Sequence, residues 1–135
     1  PGVHVRRAPG YAMDDEEMLN YFAGVVHRHG GRLRCAWQDS YCLLKDETHI
    51  YSYTFDREML LANAFDMVDA PCAGRVPGWP LNSLSIDPCT GKYWLEMTEE
   101  DERRSAEMAS TAHAENGAKL TRWLQETASR MLETE

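Results

Sequence analysis

The stretch that organises the predicted fold, residues 56–97, reads DREMLLANAFDMVDAPCAGRVPGWPLNSLSIDPCTGKYWLEM. Its first part predicts a short amphipathic helix capped by Asp56, because apolar residues recur there at helical spacing. That stripe consists of Leu60, Leu61, Ala64, Phe65 and Val68. Its last part predicts a hairpin, since alternating apolar residues flank the turn signal DPCTG at residues 87–91. The alternating residues are Leu84, Ile86, Tyr93, Leu95 and Met97.

The residues before this stretch predict one helix and three strands. Acidic residues from Asp14 onward suit a helix N-terminus, and Gly30 and Gly31 suit its end. The apolar stripe of this helix is Met18, Leu19, Phe22, Val25 and Val26. Three short runs, residues 32–37, 41–45 and 49–55, are separated by tight turns and predict an antiparallel meander.

The residues after it predict a C-terminal helix that starts at Thr98 and is broken or kinked at Asn116-Gly117. The element order is therefore α-β-β-β-α-β-β-α, and the fold class is α+β with helices packed on a twisted antiparallel sheet. Residues 1–12 show no periodicity and are predicted to be a flexible arm, either native or added ahead of a natural start at Met13. Residues 13–135 are predicted to form a single domain.

Composition excludes several classes of function. The formal net charge of −8 disfavours binding to nucleic acid or to anionic lipid, because the basic residues are not clustered. No apolar run reaches transmembrane length, and the first thirty residues lack the apolar core of a secretory signal. Cys35, Cys42, Cys72 and Cys89 show no CxxC spacing and are interpreted as free thiols in a reducing cytoplasm, with a disulfide as the alternative.

The motifs of common enzymes and cofactor sites are not found. No glycine-rich loop opens a helix ahead of a Lys-Ser/Thr pair, so a phosphate-binding loop is not predicted. His27 and His29 point about 200° apart on a helix and cannot share one metal ion. Cys35 with His49, across the predicted meander, is the nearest arrangement to a nucleophile and base. We therefore expect no catalytic activity, no metal and no cofactor.

Aromatic residues are numerous for five short strands. They are Trp37, Tyr41, Tyr51, Tyr53, Trp79, Tyr93 and Trp94. These side chains either fill the core or form an apolar surface that is kept for a partner protein.

The element order and two local motifs resemble the class I type III secretion chaperones, the Tir-chaperone (CesT-like) family of small acidic bacterial proteins. MLLANAF at residues 59–65 resembles the dimer helix of that family, and SLSIDPCTGKYWLEM at residues 83–97 is similar to its fourth and fifth strands. The resemblance implies a cytoplasmic homodimer without enzymatic activity. Such a dimer binds an extended N-terminal segment of a secreted effector and keeps it soluble and competent for export.

The resemblance also implies positions for two surfaces. The dimer interface would comprise Leu60, Leu61, Ala64, Phe65, Val68 and Trp94. The surface for the effector would comprise Leu19, Phe22, Val26, Leu33, Cys35, Trp37, Leu43 and Tyr51. Two alternatives remain open: a regulatory or assembly adaptor of the same fold, like the YbjN-like proteins, that binds a folded partner, and a small enzyme that uses Cys35 or Cys42.

Overall fold

A computed structural model of the protein describes residues 2–133. It has an α+β fold, as predicted, but two strands differ from the prediction. The fourth strand, at residues 65–68, lies within the predicted helix, and the predicted strand at residues 93–97 contains a 3-10 helix instead. The helices and strands are α1 Asp15–Arg28, β1 Arg32–Cys35, β2 Ser40–Leu44, β3 Ile50–Thr54, α2 Arg57–Ala62, β4 Phe65–Val68, β5 Ser85–Ile86 and α3 Glu99–Glu133. Short 3-10 helices form at Gly2–Arg7, within the predicted arm, and at Pro80–Leu84 and Trp94–Glu96.

The described residues form two compact units. The first unit contains the chain up to Cys35 together with Ala64–Met108, and the second contains Ala36–Asn63 and the chain from Ala109 onward. Strands β1, β4 and β5 make one antiparallel sheet in the first unit, and β2 and β3 pair in the second. The prediction of a single sheet is therefore wrong, because the described strands form two separate sheets.

Helix α1 begins with a complete capping box. The backbone N–H of Glu17 donates to the Asp14 carboxylate at 2.8 Å, and the N–H of Asp14 donates to the Glu17 carboxylate at 2.9 Å. Its predicted apolar stripe is confirmed, since Met18, Leu19, Phe22 and Val26 are buried. Gly30 and Gly31 follow the helix with φ of +95° and +82°, conformations that favour glycine.

The three-stranded sheet has β4 at its centre. Leu33 pairs with Met67 and Cys35 with Phe65, and all four side chains belong to the core that α1 covers. The predicted meander is confirmed only for the β2–β3 pair, because β1 pairs with β4 rather than with β2. The pairing of β1 with β4 joins residues some thirty positions apart and accompanies the burial of Phe65 and Met67. Local turn signals do not reveal the free energy gained by that burial.

The opposite face of this sheet carries a charge cluster. Asp66 is 4% exposed and pairs with two arginines of β1. Its carboxylate lies 2.5 Å from Arg32 Nη2 and 2.7 Å from Arg34 Nε. The two half-exposed guanidinium groups therefore offset the desolvation cost of the buried carboxylate. This pairing explains why β1 carries arginine at residues 32 and 34.

The helix predicted from residue 56 is shorter than its apolar stripe. Asp56 caps it as predicted, and its carboxylate accepts a hydrogen bond from Met59 N–H at 2.9 Å. However, α2 ends at Ala62, and Phe65 and Val68 lie in β4. Residues 65–68 match a strand period as well as a helix period, and pairing with β1 selects the strand.

The predicted hairpin forms only around its turn. Asp87 accepts hydrogen bonds from Cys89 N–H at 3.0 Å and Thr90 N–H at 2.7 Å, and Gly91 has φ of +71°. Among residues 2–133, the two arms of the hairpin are joined outside the turn by an Ile86–Tyr93 bridge and by a hydrogen bond from Asp87 N–H to the Lys92 carbonyl at 2.9 Å, whereas β5 pairs with β4. Pro80 starts a 3-10 helix through Leu84, so the predicted strand at residues 83–86 is shortened to two residues.

Helix α3 runs without interruption through Asn116-Gly117, so the predicted break is wrong. Asn116 is buried, and its side-chain amide donates to the Met59 carbonyl at 3.1 Å. This bond satisfies a carbonyl near the end of α2, a role that local propensity does not reveal. The predicted start is confirmed, since Thr98 and Asp101 exchange side-chain and backbone hydrogen bonds.

Candidate functional site

The β2–β3 ribbon of the second unit is the candidate functional site. Lys45 N–H donates to His49 C=O at one end, and Phe55 N–H donates to Asp39 C=O at the other. Hydrogen-bonded and non-hydrogen-bonded pairs alternate in an antiparallel ribbon. Tyr41–Tyr53 and Leu43–Tyr51 are therefore hydrogen-bonded pairs, whose backbone N–H and C=O groups point toward the partner strand. The backbone groups of the remaining ribbon residues point outward to the two edges. These residues are Ser40, Cys42, Leu44, Ile50, Ser52 and Thr54.

Neither edge of the ribbon is paired with another strand among residues 2–133. Each edge therefore presents a row of backbone donors and acceptors to which an extended chain can add. A two-stranded ribbon is marginally stable alone, so it must be held by packing on one face.

Helix α3 supplies that packing through the inner face of the ribbon. The rings of Tyr53 and Trp123 stack with centroids 5.3 Å apart, and the Arg130 guanidinium lies 5.8 Å from the Tyr51 ring centroid. Lys45 Nζ donates to the Met131 carbonyl at 2.8 Å. The ribbon is thus fixed by its tyrosine face, which leaves the other face uncovered within this unit.

The outer face has an apolar end and a polar end. Leu44 and Ile50 are directly opposed, and 65% and 57% of their surfaces are exposed. At the other end, the hydroxyls of Ser40 and Thr54 lie 3.0 Å apart. The same residues carry the exposed side chains and the outward backbone groups. An added strand would therefore meet both.

The turn of the ribbon is closed by Asp46. Its carboxylate accepts hydrogen bonds from the hydroxyl and N–H of Thr48 and from the His49 side chain and N–H, at 2.7–2.9 Å. The Thr48 bonds, followed by those from His49, hold the pKa of Asp46 well below its ordinary value. The turn therefore keeps its charge and its shape at neutral pH.

The predicted effector surface on α1 lies inside the protein. Leu19, Phe22 and Val26 are buried in the core of the first unit at 8% exposure or less. They share this core with Phe65 and Met67 of β4. The stripe of α1 that the resemblance assigned to the effector is therefore used within the protein. In this conformation the three side chains do not form an exposed surface for an effector segment.

The other predicted effector residues are divided between the two units. Leu33 and Cys35 are half-buried against the core of the first unit, whereas Leu43 and Tyr51 lie on the inner face of the ribbon. Trp37 precedes the ribbon and is exposed. Sequence reasoning missed Leu44 and Ile50, although both lie at equal distance from the Asp46 turn and could have been paired by counting outward from it.

The predicted dimer residues are also separated. Phe65 is buried against Trp94 in the core of the first unit. Leu61, in contrast, is exposed at α2, and Leu60, Ala64 and Val68 are half-buried. The expected continuous helical stripe does not form, because Phe65 and Val68 belong to β4.

The surroundings of Cys35 are not those of an activated nucleophile. All four cysteines are free. Burial, and then the charge of Asp66, raise the pKa of the Cys35 thiol, so it remains protonated at neutral pH. The strand pairing that would bring it to His49 does not form, and His49 instead contacts Asp46 at 2.9 Å.

Within residues 2–133, no group of three or more His, Cys, Asp and Glu side chains could hold a metal ion. No helix in that range is both long and apolar enough to cross a membrane. Comparison of the chain with protein-family models, with curated proteins and with solved structures gave no significant match. The resemblance to secretion chaperones therefore stays a prediction.

Proposed function

We propose that this protein is a non-enzymatic type III secretion chaperone that binds an extended N-terminal segment of a secreted effector in the bacterial cytoplasm. The observation that carries the proposal is the β2–β3 ribbon, whose two edges pair with no other strand of residues 2–133 and whose outer face exposes Leu44 and Ile50. An unfolded segment can add to such an edge as a further strand.

Strand addition divides recognition between backbone and side chains. The backbone of the effector segment pairs with the outward N–H and C=O groups of one edge, which requires no particular sequence. Alternate side chains of the segment then lie beside the Leu44–Ile50 pair, which favours apolar residues at every second position. An effector kept extended in this way cannot fold before export.

The test uses the full chain and two variants of the ribbon. Leu44→Lys and Ile50→Lys place a charge on the exposed face, a change that blocks edge pairing. Leu132→Lys is the matched control, because Leu132 is a leucine on α3 that is even more exposed, at 76%. The tagged proteins are used to capture partners from the source bacterium, and hydrogen exchange is measured on the segment that the wild-type chain retains.

We expect the backbone amides of the captured segment to exchange rapidly once the segment is separated from the chaperone, because an extended effector segment has no compact core. Capture should be lost with both ribbon variants and retained with Leu132→Lys. A captured partner that is folded on its own would instead favour an adaptor. Capture that is unaffected by Leu44→Lys and Ile50→Lys would place binding elsewhere and overturn the role of the ribbon.

The proposed chaperone is a homodimer. Leu61 is the predicted interface residue that is most exposed on the described chain, at 58%. We expect light scattering at micromolar concentration to show a dimer that Leu61→Asp converts to a folded monomer. A wild-type protein that is strictly monomeric would contradict the proposed assembly.

A further inference from the structure

A groove of about 470 Å³ lies on the first unit, where the N-terminal 3-10 helix and the turn after it meet α1. Ala8, Phe22 and Val25 supply apolar surface, and Tyr21 supplies a ring with a hydroxyl group. Its volume falls within the range of roughly 300–1,000 Å³ that is typical of small-molecule sites. The groove is therefore large enough for a ligand with an extended apolar part.

Apart from a tyrosine, the ionisable side chains at this groove are both basic. His4 and Arg7 line it, whereas the whole chain carries a net charge of −8. Arg6, next in sequence, is fully engaged with the Met13 carbonyl, the Asp15 carboxylate and the Gly78 carbonyl. Arg7 makes no side-chain hydrogen bond or ion pair with any residue in the described part of the chain, so its guanidinium is available to a ligand.

We propose that the groove binds a small amphiphilic monocarboxylate, with the carboxylate at Arg7 and the alkyl chain against Ala8, Phe22 and Val25. A guanidinium group can donate two parallel hydrogen bonds to one carboxylate, and the Tyr21 hydroxyl is a further donor on the same lining. Neutral lipids would leave Arg7 unused, and polyanions would be repelled by the acidic chain. The site is independent of the ribbon, which belongs to the other unit.

The test is calorimetric titration of the full chain with octanoate, hexanoate and 1-octanol. Octanoate should bind with one-to-one stoichiometry and about tenfold more tightly than hexanoate, since each methylene adds roughly fourfold. Octanol has the same chain length without the charge. It should bind at least about tenfold more weakly than octanoate, because a hydrogen bond to a charged group is lost.

Two variants locate the site. Arg7→Gln should weaken octanoate binding by about tenfold or more, whereas Arg104→Gln, an exposed arginine on α3 outside the groove, should leave it unchanged. Backbone amide shifts on titration should concentrate at residues 7–10 and 21–25. Absence of saturable binding, equal binding of octanol, or unchanged binding by a folded Arg7→Gln protein would each overturn the proposal.

Discussion

The rings of Phe65 and Trp94 lie 4.7 Å apart, centroid to centroid, with their planes inclined by 48°. Phe65 comes from the central strand of the sheet, and Trp94 starts the 3-10 helix that follows the Asp87 turn. Their contact closes the core of the first unit over a sequence separation of nearly thirty residues. A residue that the sequence assigned to a dimer interface thus stabilises the fold of its own chain.

Replacement of Phe65 by Ala should therefore lower the free energy of unfolding by about 3–5 kcal/mol, through lost burial and a cavity beside Trp94. Leu132→Ala is the control, since its side chain is exposed and the substitution should change stability by about 0.5 kcal/mol or less. Urea denaturation followed by circular dichroism measures both. If the two variants were equally stable, Phe65 would not belong to the core.

Thr127 offers a route to a more stable protein. It is fully buried, and its hydroxyl has no hydrogen-bond partner among residues 2–133. Thr127→Val replaces that hydroxyl by a methyl group of similar size and should stabilise the protein by about 1 kcal/mol, because an unsatisfied polar group is removed. The melting temperatures of Thr127→Val and the wild-type protein, measured by thermal unfolding, test this expectation.

Thr127→Ser is the informative control for this site. It keeps the hydroxyl but removes a buried methyl group, so it should destabilise the protein by about 1 kcal/mol. Equal melting temperatures for Thr127→Val and wild type would mean that the hydroxyl is satisfied in solution.

The Asp87 turn should make stability depend on acid. Burial alone would raise the pKa of Asp87, but hydrogen bonds from Ser105, Thr90 and Cys89 outweigh burial and lower it below 3.8. A carboxyl group whose pKa is lower in the folded state stabilises the protein above its unfolded pKa. This contribution is lost as the pH falls from about 3.8 through the folded pKa.

Ser105→Ala tests that linkage, because Ser105 Oγ donates to Asp87 at 2.6 Å. We expect a loss of about 1.5–3 kcal/mol at pH 7, and a smaller loss once Asp87 is protonated. Ser129→Ala, an exposed serine of α3, controls for the loss of a hydroxyl. A penalty for Ser105→Ala that stays constant down to pH 2 would argue against a charged Asp87 as the acceptor.

The two faces of the ribbon should tolerate charge differently. Leu44→Lys lies on the exposed face and should change stability by about 0.5 kcal/mol or less. Leu43→Lys, one residue earlier, lies on the half-buried tyrosine face and should cost about 2 kcal/mol or more. Chemical denaturation of the two variants checks the assigned register, since a slip by one residue would exchange their effects.

Much of the local structure could be predicted. The acidic start of α1, its buried stripe, the cap at Asp56, the turn at Asp87 and the start of α3 all follow from side chains that bond or pack within a few residues. The candidate site was only partly anticipated. Trp37, Leu43 and Tyr51 lie at or in the ribbon, but the exposed pair Leu44 and Ile50 was not singled out.

The α+β class and the elements up to the start of α2 were readable from the chain, because capping, periodicity and turn chemistry act over short distances. Which strands pair, and hence which face is buried, depended on contacts between residues far apart. Pairing of β1 with β4 turned Phe65 from a helix residue into a core strand residue, and it left β2 and β3 as a ribbon with open edges. The free energy of burying distant apolar surfaces together selects among locally acceptable alternatives, and no short window of sequence contains it.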